Sequence, residues 1–178
     1  ERAFLQCTGL TSLTFPKGVI IGEAAFYKCT GLIAAKFAEK VSMGAQAFQE
    51  CTGLTSAKFA EGVIIGELAF QECTGLAKVT LSRRVSIGAQ AFWECIGLTD
   101  VYIPENVSIG PGAFYKCLSL AKVTLSRRVS IGDYSFAGCT GLTDVFIRAI
   151  LDLKNVFYGC GQFTIHAYAR PINAPYES

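Results

Sequence analysis

The sequence predicts an α/β solenoid of about eight 22-residue coils, with a parallel sheet on one face and short helical or 3-10 turns on the other. Three observations predict it. The cysteines Cys7, Cys29, Cys51, Cys73, Cys95, Cys117, Cys139 and Cys160 follow one another at 22 residues six times and then at 21. Each has a Phe three residues before it, and all but the last have a Leu three residues after it, as in AFQECTGL at 47–54 and again at 69–76. Between these frames short apolar runs alternate with period two. Self-similarity over 20 to 30 residues marks a solenoid, in which one repeat buries its apolar side only against its neighbours.

Each element follows from its phase relative to the cysteine. Apolar residues six and eight positions on, as in LAKVTL and LTDVYI, alternate inward and outward and predict a half-buried strand. Val at twelve and Ile or Met at fourteen, as in VSIG, predict a second, shorter strand. A Gly follows at fifteen (Gly22, Gly44, Gly66, Gly88, Gly110, Gly132), where a corner of positive φ is the expectation. The remaining run, GAQAFWEC, carries good helix formers with Ala, Phe and Cys inward, and is read as one helical or 3-10 turn. Eight such coils stacked at the spacing of paired strands make a rod roughly 38 Å long.

The solenoid is assigned to residues 1–150 and a C-terminal capping coil and tail to 151–178. That last stretch keeps Phe157 and Cys160, loses the Gly corner and brings two prolines. The first residues, ERAFLQC, already lie inside the repeat, so the chain is read as a fragment of a longer protein. A 51% hydrophobic content is broken by Gly and charged residues long before the roughly 18 apolar residues of a spanning helix, so no membrane insertion is expected. A net charge of +2 falls short of the basic excess typical of nucleic-acid binding.

The motif GAQAFWECIGLTDVYIP at 88–104 resembles the BspA-like leucine-rich repeats, and nearly the whole chain shares its spacing. The family's repeat is usually one residue longer, and its Ile-Pro survives here only at Ile103-Pro104. The resemblance implies a right-handed leucine-rich-repeat solenoid on a surface or secreted protein of a host-associated microbe. It also implies a role in adhesion, with a protein or glycoprotein as ligand.

One cysteine per coil at a single phase leaves neighbouring Cβ atoms about 4.8 Å apart, beyond the roughly 3.5–4.5 Å of a disulfide. Buried free thiols are therefore expected. No CxxC pair exists and His166 is the one histidine, so no metal site, cofactor or catalytic triad is predicted, and the chain is not expected to be an enzyme.

Function is then sought on the outward rows. Seven positions after each cysteine stand Thr14, Lys36, Lys58, Thr80, Tyr102, Thr124 and Phe146. Tyr102 and Phe146 are the leading ligand-contact candidates because exposed aromatics anchor interfaces, with Lys36, Lys58, Thr80 and Thr124 beside them. The alternative is that the rings only cover neighbouring side chains. The row at five ends Lys78, Asp100, Lys122, Asp144, an alternation that predicts ion pairing between strands. A further charged row, Lys17, Glu39, Glu61, Arg83, Glu105, Arg127, is expected to pair along the stack, Arg83, Glu105 and Arg127 included. Trp93 and Tyr115 form a second aromatic patch on the other side. Seven strands of this size offer about 540 Å², less than the roughly 800 Å² of a standard interface. The competing function is a passive spacer that positions another domain.

Overall fold

The computed structural model describes residues 1–148 and 151–168. In chain order the strands are β1 (Ser12–Phe15), β2 (Ile20–Ile21), β3 (Ala34–Phe37), β4 (Ser42–Met43), β5 (Ser56–Phe59), β6 (Ile64–Ile65), β7 (Lys78–Leu81), β8 (Ser86–Ile87), β9 (Asp100–Ile103), β10 (Ser108–Ile109), β11 (Lys122–Leu125), β12 (Ser130–Ile131), β13 (Asp144–Ile147) and β14 (Thr164–Ala167). Long and short strands alternate up to β13, as the two apolar phases predict. All pairing is parallel, and equivalent residues of successive coils lie side by side, as in Lys36 with Lys58 or Val123 with Val145. Eight long strands delimit seven circuits, one fewer than the eight coils expected from the cysteine count. Among the described residues no helix is long and apolar enough to cross a membrane. The described part of the expected cap, 151–168, adds β14 against β13. Residues 149–150 and 169–178, with Pro171 and Pro175, lie outside the described residues.

The expected helical turn is not present: residues 89–94 and their equivalents are successive tight turns. Their hydrogen bonding explains this. Ala91, Trp93 and Cys95 donate their amides three residues back, to Gly88, Gln90 and Phe92. The alternate amides of Gln90, Phe92 and Glu94 donate instead to Pro111, Ala113 and Tyr115 of the next coil at 2.7–2.9 Å. A helix needs every amide for its own ladder. Here half of them stitch coil to coil, and Gln90 and Glu94, two of the residues that do so, have positive φ.

The invariant corner glycine also acts differently from the expectation. None of Gly22, Gly44, Gly66, Gly88, Gly110 or Gly132 has positive φ; that conformation falls to Gly18, Lys40, Gly62, Arg84, Asn106 and Arg128 four residues earlier. What the corner demands is close approach. A Cβ on Gly88 would sit 2.7 Å from the carbonyl carbon of Gly66 and 2.8 Å from the amide nitrogen of Glu67. None of the non-glycine residues of positive φ is β-branched, in keeping with the sterics of that region.

The core is a set of ladders along the axis. Phe4, Phe26, Phe48, Phe70, Phe92, Phe114, Phe136 and Phe157 form one continuous stack with centroids 5.0–5.5 Å apart. Phe15, Phe37 and Phe59 make a second, parallel stack that meets the first edge to face. Beyond Phe59 that phase is held by Leu81, Ile103, Leu125 and Ile147.

All eight cysteines are free, as their spacing predicts. From Cys29 onward each thiol donates to the carbonyl of the Phe in the preceding coil, as Cys95 does to Phe70 at 3.2 Å. Each therefore fills a small apolar gap and satisfies a carbonyl that faces the core. Burial pushes the Cys51 and Cys117 thiols up to about 12, and those of Cys73 and Cys95 well above the ordinary value. Since the thiolate is the reactive form, Cys7 and Cys160, both half-buried at the ends, are expected to react first with a disulfide reagent at pH 8. The six between them should react only on unfolding, and mass spectrometry of partly labelled protein checks the order. Equal labelling of Cys73 and Cys7 would contradict the packing.

Candidate binding surface

The long strands do not form one unbroken sheet. β1, β3, β5 and β7 make one four-stranded sheet, and β9, β11, β13 and β14 another, with no ladder between β7 and β9. The short strands continue through the same point as a single six-stranded sheet, β8 pairing with β10. The turn stack is also continuous there, through Phe92 to Ala113. The opening is thus confined to one side of the rod.

Pro104 supplies a local reason. In other coils the residue after the long strand donates its amide to the last residue of the preceding strand: Ser82 to Phe59, and Ser126 to Ile103, both at 3.0 Å. Pro104 has no amide hydrogen, so the Leu81 carbonyl lacks this donor. Coil spacing widens at the neighbouring corner too. A Cβ on Gly97 would stand 2.7 Å from the Thr74 carbonyl oxygen, farther than its equivalents at Gly31, Gly53, Gly75 or Gly141 stand from theirs. Val79 and Leu81 accordingly keep 8% and 7% exposure, where the matching Val101 and Ile103 of the next coil have 2% and 0%.

The result is a cleft of about 480 Å³ between β7 and β9, lined by Lys78, Val79, Thr80, Leu81, Asp100 and Tyr102. Tyr102 stands at its edge with 54% exposure. Its hydroxyl accepts a hydrogen bond from the buried Ser126 of the following coil at 3.1 Å, which ties the ring toward the β11 side. Thr80 on β7 lines the same cleft, and Lys36 and Lys58 are exposed on the same sheet as Thr80, two and one strands from β7. Phe146 lies on β13, two strands from Tyr102 with Thr124 between them, a separation of roughly 10 Å.

Phe146 is half-buried, and its ring is occupied. His166 stacks on it at 4.4 Å and 10°, and the Lys122 ammonium lies 4.8 Å from its centroid. His166 also meets Asp144 at 2.7 Å. That contact, then the Thr143 hydroxyl, holds the Asp144 carboxyl below the usual carboxylate range.

The expected charge ladder of Lys78, Asp100, Lys122 and Asp144 forms no ion pair among the described residues, because Lys122 covers Phe146 and Asp144 turns to His166. The pairing of Arg83, Glu105 and Arg127 is also not found. Lys17 does meet Glu39 at 2.9 Å, but Glu61 is reached at 3.0 Å by Arg84, the positive-φ corner residue, rather than by Arg83. Such exposed pairs contribute at most about 1 kcal/mol each.

Trp93 and Tyr115 do come together, edge to face at 5.3 Å, on the turn side away from the sheet. The cleft and the His166 contact escape a row-by-row reading of the sequence. Pro104 alone marks the first, as the one residue of its row that is both proline and next to a long strand's Ile. Among the described residues no group of three or more His, Cys, Asp or Glu is placed to hold a metal.

Solved structures share the architecture. A leucine-rich-repeat protein of T. pallidum superposes with a TM-score of 0.64 at 26% identity, over 79% of this chain and 73% of that one. A leucine-rich cell surface protein of Faecalibacterium prausnitzii gives 0.56 at 23% identity, over 75% of this chain and 46% of the other. A leucine-rich-repeat protein of Bacteroides ovatus gives 0.53 at 20% identity, over 94% and 63%. No curated protein sequence matches significantly. The family profile of the BspA type leucine-rich repeat region matches residues 1–95 and 63–170, in six copies. With both the coil geometry and the repeat spacing in agreement over most of its length, the chain belongs to the BspA-type leucine-rich-repeat family.

Proposed function

We propose that the chain is a non-catalytic binding module of a surface or secreted adhesin-like protein, and that it engages a protein or glycoprotein through its sheet face around Tyr102. The observation that carries the reading is the cleft between β7 and β9, where the regular sheet opens beside an exposed aromatic. Lys78 and Asp100 place opposite charges at its rim, and apolar Val79 and Leu81 form its floor. Aromatic anchors at such positions are the usual energetic centres of interfaces. The non-catalytic reading is supported by the burial of the cysteines, whose thiols donate to core carbonyls. A surface location is supported by family membership and by the F. prausnitzii neighbour, itself described as a cell surface protein.

Thr80 and Tyr102 are assigned to the cleft, with Thr124 and Phe146 extending the surface toward β14 and Lys36 and Lys58 flanking it on the other side. Since Phe146 is covered by His166 and Lys122, Tyr102 carries the larger share. Surface plasmon resonance of the purified chain against immobilised matrix and cell-surface glycoproteins tests this. Tyr102→Ala should weaken the retained interaction at least tenfold, about 1.4 kcal/mol, with Phe146→Ala having a smaller effect. Unchanged binding by the Tyr102→Ala/Phe146→Ala double variant would remove the sheet face from the account. A spacer role is the second reading. It is favoured by the unbroken Phe stack, which suits a stiff rod, and absence of binding across the panel would support it.

A further inference from the structure

The turn face carries a feature that the sheet-face reading does not use. Two rows run along this face, five and two residues before each cysteine. The first reads Ala24, Gln46, Leu68, Gln90, Gly112, Tyr134 and the second Tyr27, Gln49, Gln71, Trp93, Tyr115, Ala137. Where the neighbouring coils hold Gln90 and Tyr134, the coil of β9 and β10 holds Gly112, and the missing side chain leaves a pocket of about 390 Å³. Trp93 and Tyr115 wall it edge to face, and Tyr134 closes it from the following coil. The chain's one tryptophan, its Pro-Gly turn and this tyrosine all depart from the repeat, and the fold gathers them at one point.

The volume falls within the range of small-ligand sites, roughly 300–1,000 Å³. The rim selects the chemistry. Asp133 brings a carboxylate and Gln90 an amide that both donates and accepts. Lys116 brings an ammonium held 3.5 Å from Glu94 and 5.5 Å from the Tyr115 centroid. With both signs present, an anion would face Asp133 and a cation would face Lys116, so a neutral ligand is favoured. Groups that donate and groups that accept both find partners in hydroxyls, while aromatic rings pack against a face of C–H groups.

We propose that this pocket binds a neutral pyranose unit of an oligosaccharide, its ring packed on Trp93 and Tyr134 and its hydroxyls bonded to Asp133, Gln90 and Lys116. The proposal is independent of the sheet-face reading, since the two surfaces lie on opposite sides of the coil.

Trp93 is the chain's one tryptophan, so its fluorescence reports on this pocket alone. The test is a fluorescence titration with cellohexaose, maltohexaose, mannohexaose and chitohexaose, and with tetramethylammonium as the cationic alternative. A saturable change with at least one hexasaccharide is expected. Gly112→Gln should weaken it at least tenfold while leaving Trp93 in place to report. This variant should fold, because Gln46 and Gln90 hold the same row position at φ of 58° and 55°, against 61° for Gly112. A Cβ at Gly112 would also meet nothing closer than the Gln90 Cγ at 3.4 Å. Circular dichroism confirms the fold. Titrating a glycoprotein before and after enzymatic deglycosylation separates a protein-borne glycan from a free polysaccharide. No saturable change with any of the four sugars, saturation by tetramethylammonium alone, or sugar binding that survives Gly112→Gln would each overturn the proposal.

Discussion

Phe92→Ala is expected to destabilise the chain by about 3–5 kcal/mol, a loss comparable to the whole stability of many domains. Phe92 is fully buried, with Phe70 stacked on one side at 5.3 Å and Phe114 on the other at 5.1 Å. Truncation opens a cavity that neither neighbour can fill, because each is held at its own rung by backbone bonds to the next coil. It also divides the ladder in two, which matters in a solenoid because each coil is stabilised chiefly by its neighbours. Urea denaturation followed by circular dichroism gives the number. Phe4→Ala is the internal comparison, since Phe4 stacks on one neighbour only and is 46% exposed, and its loss should stay below about 1.5 kcal/mol. Equal losses at the two positions would mean that the stack does not act as a continuous core.

Gly88→Ala should cost about 3 kcal/mol, the upper end of the usual range for overpacking. The added methyl would meet backbone, at 2.7 Å and 2.8 Å, rather than the end of a flexible side chain. The coils can admit it only by separating, and the bond from the Gly88 amide to Ile65 at 2.9 Å would stretch with them. Gly62→Ala provides the contrast. Gly62 has φ of +71°, yet its nearest non-neighbour is the Lys40 Cγ at 3.8 Å, and Lys40 and Arg84 adopt the same conformation one coil away. Its cost should be about 1 kcal/mol, the ordinary penalty for a side chain in that region. Thermal melts of the two variants side by side measure the difference, and a Gly88→Ala protein as stable as Gly62→Ala would refute close approach as the reason for the corner glycine.

These two residues also show what the sequence makes legible. Strand phases, parallel register and buried thiols follow from periodicity, because burial repeats whenever the chain returns to the same phase. The corner glycine is visible, but its reason is not: a residue that needs positive φ and one that needs room look alike in a single chain. The missing helix has a similar origin. GAQAFWEC has the composition of a helical turn, and only the demand of the next coil for the amides of Gln90, Phe92 and Glu94 decides against it. Helix propensity is a few tenths of a kcal/mol per residue and yields to tertiary bonding.

At the candidate sites, outward placement of Tyr102 and Phe146 was legible from alternation. The partners of Phe146 were not, since His166 belongs to a coil whose repeat is one residue short. Pro104 and Gly112 were visible as exceptions, yet an exception in a row becomes a cleft or a pocket only when the neighbouring rungs are laid beside it. The long strands separate at Pro104, and the turn face is hollow at Gly112.

The opening between β7 and β9 is the place proposed to hold a partner. Hydrogen–deuterium exchange of the chain, free and bound to the glycoprotein it retains, tests that most directly. In the free protein the amides of Thr99, Asp100 and Tyr102, which face β7, should exchange faster than the paired amides of β5 and β11, because no ladder joins β9 to β7, while the alternate amide of Val101 faces β11 and should stay slow. On binding, residues 78–82 and 99–103 should become protected. Slow exchange at Thr99, Asp100 and Tyr102 in the free chain, or protection elsewhere with none in these two segments, would contradict the claim.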